Sequence, residues 1–379
     1  MRSTLATYFD SFLTKYFKSK FLYKNYNLLL FRLSINISKL KLCLSLAFFC
    51  SLFFCSASHA SLTDLHANGP IGVRTQNPLY LMFLGLPMES PQTLNRDQFE
   101  FTVQTTFSNV FEIDTLSAQT NYNLDMEIWR TVLSFSYGIT NSLDVRLDLP
   151  FLSTSGGFLD SFIQSYHNTF GVPNGGREKT TNGLYNFNLS QGGTTLLNFK
   201  SLPIGLSDAT VRFKYLISDK LNIPFKLAVS AALKVPTGVA THGFSSKRAD
   251  FGISLAREKS LKRFHLATQL GYVVLGGQEK LNPILRDGFF TFGQSAEFQI
   301  IDGLAVLMEL SGNTSAFKNI DAPDLKKIAL DYNVGFAGHF PINHTRFDEF
   351  FYQWSFSEDI LAAGPSVDFS IFFLAGLRY

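Results

Sequence analysis

From residue 97 to the C-terminus, apolar and polar side chains alternate with a period of two in segment after segment. Such alternation marks strands with one greasy and one wet face. The clearest segment is 143–151, where Leu143, Val145, Leu147, Leu149 and Phe151 interleave with Asp144, Arg146 and Asp148. The same pattern recurs at 97–107, 125–139, 208–218, 223–235, 249–256, 262–274, 288–300, 304–311, 328–338, 349–357 and 369–379. Each segment reaches roughly 9–11 residues, the length a tilted strand needs to cross a bilayer. The links alternate between short and long, with Thr140-Asn141-Ser142 and Asp302-Gly303 as tight turns. The pattern predicts an all-β fold, a transmembrane antiparallel up-and-down β-barrel of about 12 strands. Both termini and the short links then face the periplasm, with 339–348 the one longer link on that side. Register is weakest in the first, sixth and eleventh strands, so counts of ten or fourteen stay open.

Two stretches break the period. Residues 61–96 hold Pro70, Asn77-Pro78 and the apolar run Leu79 to Leu86 before Pro87. They read as a periplasmic leader or as a plug folded into the lumen. In the long extracellular loop 152–206, Phe158, Phe162, Tyr166 and Phe170 recur every fourth residue, which predicts a helical segment. Such a helix would lie on the membrane surface, pack on the rim, or fold over the pore mouth as a gate.

The front of the chain fits export. The apolar run Leu42 to Phe54 has signal-peptide length, Lys39 and Lys41 precede it, and Ser58-His59-Ala60 supplies a cleavage site after Ala60. Residues 1–60 are therefore expected to be a signal handled by the Sec translocon. Its basic region is long, so either the signal is extended or translation starts downstream. Cys43, Cys50 and Cys55 all lie inside it, which leaves the mature chain without thiols. The leader carries eight Lys and Arg and one Asp, so the remainder has 25 basic and 29 acidic residues. That balance gives no reason to expect nucleic acid as a partner. With 40 Phe and 14 Tyr, and no later apolar run of the roughly 20 residues a helix needs to span, a closed barrel in lipid is the solution that satisfies the backbone.

The last strand places Phe369, Ile371, Phe373, Leu377 and Tyr379 on one face. It resembles the C-terminal targeting strand of Gram-negative outer-membrane barrels, which implies insertion by the barrel-assembly machinery. The stretches GPIGVRTQNPLYLMFLGLP (69–87) and FLDSFIQSYHNTFGVPNGGR (158–177), with Lys234-Val235-Pro236-Thr237-Gly238, are similar to a proteobacterial family known as domain of unknown function 3187. That resemblance implies an outer-membrane barrel and brings no activity.

Candidate chemistry lies in the lumen. Arg130, Arg146, Arg212, Lys214, Lys226 and Lys234 point inward from strands two to five, offset by Asp144 and Asp148, while Glu297, Glu309, Asp331 and Asp368 point inward from the later strands, offset by Arg378. Facing basic and acidic walls would orient polar solutes in a channel. The other outcome is a salt-bridge network that fills the barrel. A lipid-active barrel enzyme would need a Ser-His pair. None stands out among His66, His167, His242, His265, His339 and His344, and His265 reads as a solvated lining residue. No metal site and no cofactor are expected; His339, His344 and Asp348 form an irregular turn cluster. The expectation is a passive outer-membrane channel for small polar or amphipathic solutes. A non-conducting receptor, adhesin or structural barrel ranks second, and an enzyme third.

Overall fold

The computed structural model describes residues 68–114, 119–171, 176–221, 223–342, 347–360, 364–365, 367 and 369–379. The signal, its cleavage site, residues 61–67, His344 and Asp368 lie outside this set. Fifteen strands form one sheet: β1 (Phe99–Asp114), β2 (Thr120–Thr140), β3 (Leu143–Ser155), β4 (Asn186–Gln191), β5 (Thr194–Asn198), β6 (Leu202–Leu206), β7 (Ala209–Leu216), β8 (Lys226–Val235), β9 (Asp250–Leu261), β10 (Phe264–Val274), β11 (Gly288–Ile301), β12 (Leu304–Asn313), β13 (Ala329–Pro341), β14 (Glu349–Asp359) and β15 (Phe369–Arg378). All except β4, β5 and β6 pair antiparallel with their neighbours around a closed ring of twelve. The ring closes where β1 meets β15, in register from Glu100↔Arg378 to Asn109↔Phe369. All twelve segments read from the alternation form these strands. The three extra strands extend one rim, β4 on the upper part of β2 and β6 on β3. The long loop 152–206 is therefore partly sheet, because β2 and β3 run on past the bilayer length and offer edges that β4 and β6 cover.

Burial is inverted relative to a soluble protein. Trp129, Phe213, Leu255, Leu270, Met308, Phe336 and Phe373 are exposed on the outer face, while Arg212, Lys234, Asp250, Glu258, Gln269, Glu297 and Glu309 are buried on the inner one. Hydrocarbon outside and protein inside account for both sets. Near the end that carries the short turns, Phe340, Phe350 and Tyr352 stack, and Phe347 meets Tyr379 edge to face. These rings form the aromatic girdle expected at an interface.

The lumen is filled by residues 68–96, which run as a hairpin. The chain starts at the turn end, where Asn68 contacts Glu297 and His339. It climbs past Glu309 and reverses at the loop end through helix α1 (Pro78–Leu81), which Asn77 caps by accepting from the Leu79 N–H. It then descends past Asp250, Gln269 and Asp144 to join β1. Leu79 to Leu84 sit in a core with Tyr122, Leu124, Phe187, Phe244, Leu285 and Phe317. The loop end is thus sealed by apolar packing, and the turn end is lined by polar contacts. The descending leg lies against inward-facing glycines: a Cβ at Gly252 would come 2.9 Å from Leu84, and one at Gly293 2.4 Å from the Met88 sulfur.

Substituting Gly293→Val should push Met88 off the wall and lower unfolding stability by about 1–3 kcal/mol. A urea titration of the refolded protein measures this, and an unchanged midpoint would contradict the packing.

Candidate functional site

The inner faces of the strands and the two legs of the hairpin form one polar site. Inward carboxylates on β9 to β12 accept from hairpin N–H groups. Glu297 takes those of Asn68 at 3.0 Å and Gly69 at 3.1 Å, Glu309 that of Ile71 at 3.0 Å, and Asp250 that of Leu84 at 2.9 Å. Inward donors take hairpin carbonyls. Lys234 Nζ donates to the Met82 carbonyl at 2.9 Å, Lys214 Nζ to that of Ser90 at 3.2 Å, and Gln353 to those of Asn68, Gly69 and Pro70. A two-legged segment with no sheet partner of its own leaves its backbone groups to be satisfied by the wall. The charged residues on the wall do that.

Ion pairs tie the descending leg to the basic strands. Glu89 lies 3.4 Å from Arg212 and 4.0 Å from Lys214, and accepts from Ser230 at 2.6 Å. Lys214 also meets Asp144 at 3.6 Å. Arg146 pairs with Asp148 at 2.7 Å, and Lys234 with Asp208 at 2.7 Å and Asp250 at 3.3 Å. Arg378 on β15 holds Glu100 across the seam at 2.8 Å and Glu349 of β14 on its other side at 2.5 Å. Lys226 sits at the turn-end rim and donates to Gln92 at 2.6 Å. Asp331 is buried on the inner face of β13. Between the hairpin and the wall of β14, β15, β1, β2, β3 and β7 a cavity of about 360 Å³ remains, bordered by Arg74, Glu89, Arg130, Arg146, Arg212 and Lys214 among others.

Three sequence-based expectations are corrected here. The basic and acidic walls do not face each other across an open lumen, because the hairpin lies between them and uses the charges of both. Of the aromatic stripe that runs through the loop helix α2 (Asp160–Phe170), the two described side chains, Phe158 and Phe162, do not close the mouth. Phe158 is 74% exposed and stacks on outward-facing Phe107 at 6.0 Å, and Phe162 is 57% exposed. The helix instead turns Asp160 and Ile163 inward, where Asp160 pairs with buried Arg177 at 3.0 Å and Glu127 accepts from the Phe158 and Leu159 N–H groups. The side chains of Tyr166 and Phe170 lie outside the described set. His265 is not a solvated lining residue; it is 3% exposed, and its Nδ1 lies 2.8 Å from the Ser260 hydroxyl on the adjoining strand. That Ser-His contact needed the β9–β10 register, which alternation alone does not give.

Sequence reading missed Arg74, Glu89, Asp250, Glu258 and Gln353 as site residues. Inward Gly252, Gly271 and Gly293 on the successive strands β9, β10 and β11 were the available signal, since bare backbone on a lumen face asks for something packed against it. The terminal set Phe369, Ile371, Phe373, Leu377 and Tyr379 lies along the outer side of β15 and its end, beside the closing seam.

Lys234→Met should cost about 3–5 kcal/mol, because it strands Asp208 and Asp250 as unpaired buried charges. Adding Asp208→Asn and Asp250→Asn should restore part of that loss. Urea unfolding of the single and triple variants provides the comparison.

Among solved structures, the chain is similar in fold to the COG4313 outer membrane channel from Pseudomonas putida F1, at 13% identity and TM-score 0.49, covering 78% of this chain and 100% of that one. It is similar also to the NanC porin, at 11% identity and TM-score 0.39 over 74% of this chain and 98% of the porin. The KdgM porin follows, at 8% identity and TM-score 0.36 over 74% and 98%. No curated protein matches. Residues 46–379 match the profile of one family over nearly the whole barrel and its hairpin, and the chain therefore belongs to the family described as protein of unknown function DUF3187.

Proposed function

We propose that the protein is a passive outer-membrane channel for small polar or amphipathic solutes, closed at rest by its own lumen hairpin and opened when that hairpin shifts. One observation carries this reading. The turn-end half of the hairpin is held by hydrogen bonds and ion pairs, and a 360 Å³ polar cavity runs beside it. A net hydrogen bond is worth about 0.5–1.5 kcal/mol, since water replaces it when it breaks. Polar legs bordering a wettable cavity can therefore exchange wall contacts for solvent at modest cost. The apolar core at the loop end has no such exchange open to it, so motion is expected first in the legs near Glu89 and Ile71.

That apolar seal favours a second reading, a non-conducting surface or structural barrel whose function lies in its loops. An enzyme finds less support, because Ser260 and His265 do not border the cavity.

Planar-bilayer recording separates the first two readings. Deleting residues 70–94, or loosening the hairpin with Glu89→Ala and Arg74→Ala together, should raise unit conductance several-fold over the intact protein. If the intact protein and both variants are silent although refolded, the channel reading fails.

A further inference from the structure

Two guanidinium groups border the lumen cavity without a carboxylate of their own. Arg74 comes from the ascending leg and Arg130 from β2. Arg146, Arg212, Lys214, Lys234 and Arg378, which line the same cavity, each lie within 4.0 Å of an acidic oxygen. Arg74 spans the hairpin, donating from Nη2 to the Tyr80 and Phe83 carbonyls at 2.6 and 3.0 Å, and its buried Nε meets no acceptor among the described residues. Gly85 makes this position possible, since a Cβ there would lie 2.5 Å from the Arg74 guanidinium carbon. Among the described residues Arg130 has no hydrogen-bond or ion-pair partner. Asp148, which borders the same cavity, is shared by Arg146 and Arg212.

Both guanidinium groups border the same cavity, one from the hairpin and one from the wall. A partly buried guanidinium that meets no carboxylate has hydrogen-bonding capacity left for an anion in the cavity it borders. Among the described residues the fold makes no hydrogen bond or ion pair with the Arg130 guanidinium, which leaves it available to a ligand. Leu81, Phe83 and Val132 border the same cavity and give an apolar body somewhere to lie. The volume of about 360 Å³ falls at the small end of the roughly 300–1,000 Å³ typical of ligand sites.

We propose that Arg74 and Arg130 bind the head of a small organic carboxylate inside the lumen. Guanidinium groups match a carboxylate in geometry and charge through paired N–H···O bonds. An anion with an apolar body uses both the guanidinium groups and the Leu81, Phe83 and Val132 lining, whereas a bare multivalent ion uses only the former. That such an anion is the transported solute rests on the channel reading above; the site itself does not.

The experiment is calorimetric titration of the detergent-refolded full barrel with benzoate, with its neutral isostere benzamide, and with inorganic phosphate, using empty micelles as blank. Benzoate should bind, and benzamide and phosphate at least tenfold more weakly. Arg130→Gln should weaken benzoate at least tenfold without lowering the urea midpoint, since it removes no hydrogen bond or ion pair among the described residues. Arg130→Lys, which keeps the charge but not the fork, should fall between and covers the case in which the glutamine variant misfolds. Equal binding of benzoate and benzamide, unaltered benzoate binding by Arg130→Gln, tighter binding of phosphate, or no binding at all would each overturn the assignment. Because binding is read in detergent, a barrel that never conducts can still bind benzoate, and the two readings fail separately.

Discussion

Closure of the ring between β1 and β15 is the constraint on which the rest of the molecule depends. A strand in hydrocarbon cannot leave its backbone N–H and C=O groups unpaired, so an open sheet has no stable place there. The ten-residue ladder from Glu100↔Arg378 to Asn109↔Phe369 removes the last two edges. Once the sheet is closed, the period of two fixes everything radial. Alternate residues must meet either lipid or lumen, and Arg378 turns inward to pair with Glu100 across that same seam and with Glu349 on the neighbouring β14.

A closed ring of twelve is too wide for wall side chains alone to fill and leaves space that water or protein must occupy. In this chain protein occupies it. Carboxylates accept hairpin N–H groups, lysines and Gln353 take hairpin carbonyls, and glycines bring bare backbone near Leu84 and Met88. The lumen charges are thus neither a free field across a pore nor a network closed on itself. They are the sockets in which a segment without secondary structure partners is seated, with a cationic cavity left on one side.

The wall was legible in the sequence because lipid imposes a strict alternation, although β1 and β9 run on past the segments 97–107 and 249–256, to Asp114 and Leu261. Strand 143–151 could be read from five apolar and three charged positions, and it forms β3. The lumen was much less legible. Leu79 to Leu86 read equally as a periplasmic leader or a plug, since an apolar run says that it is buried and not against what. Its contacts join residues more than a hundred positions apart, such as Asn68 with Glu297 or Gln269 with Leu86, and no local period encodes them. The loop helix was visible from its four-residue spacing, but its orientation was not. Phe158 and Phe162 face outward because buried Asp160, paired with Arg177, fixes the opposite face inward.

Backbone hydrogen exchange of the intact protein in lipid nanodiscs, read by mass spectrometry across residues 68–96, tests the central claim most directly. If the hairpin is seated in the lumen by the wall charges, the amides of Ile71, Leu84 and Glu89 will exchange nearly as slowly as those of the barrel strands. Exchange of these amides at the rate of an unstructured peptide, with the strands still protected, would show that the segment lies outside the barrel and would contradict the account.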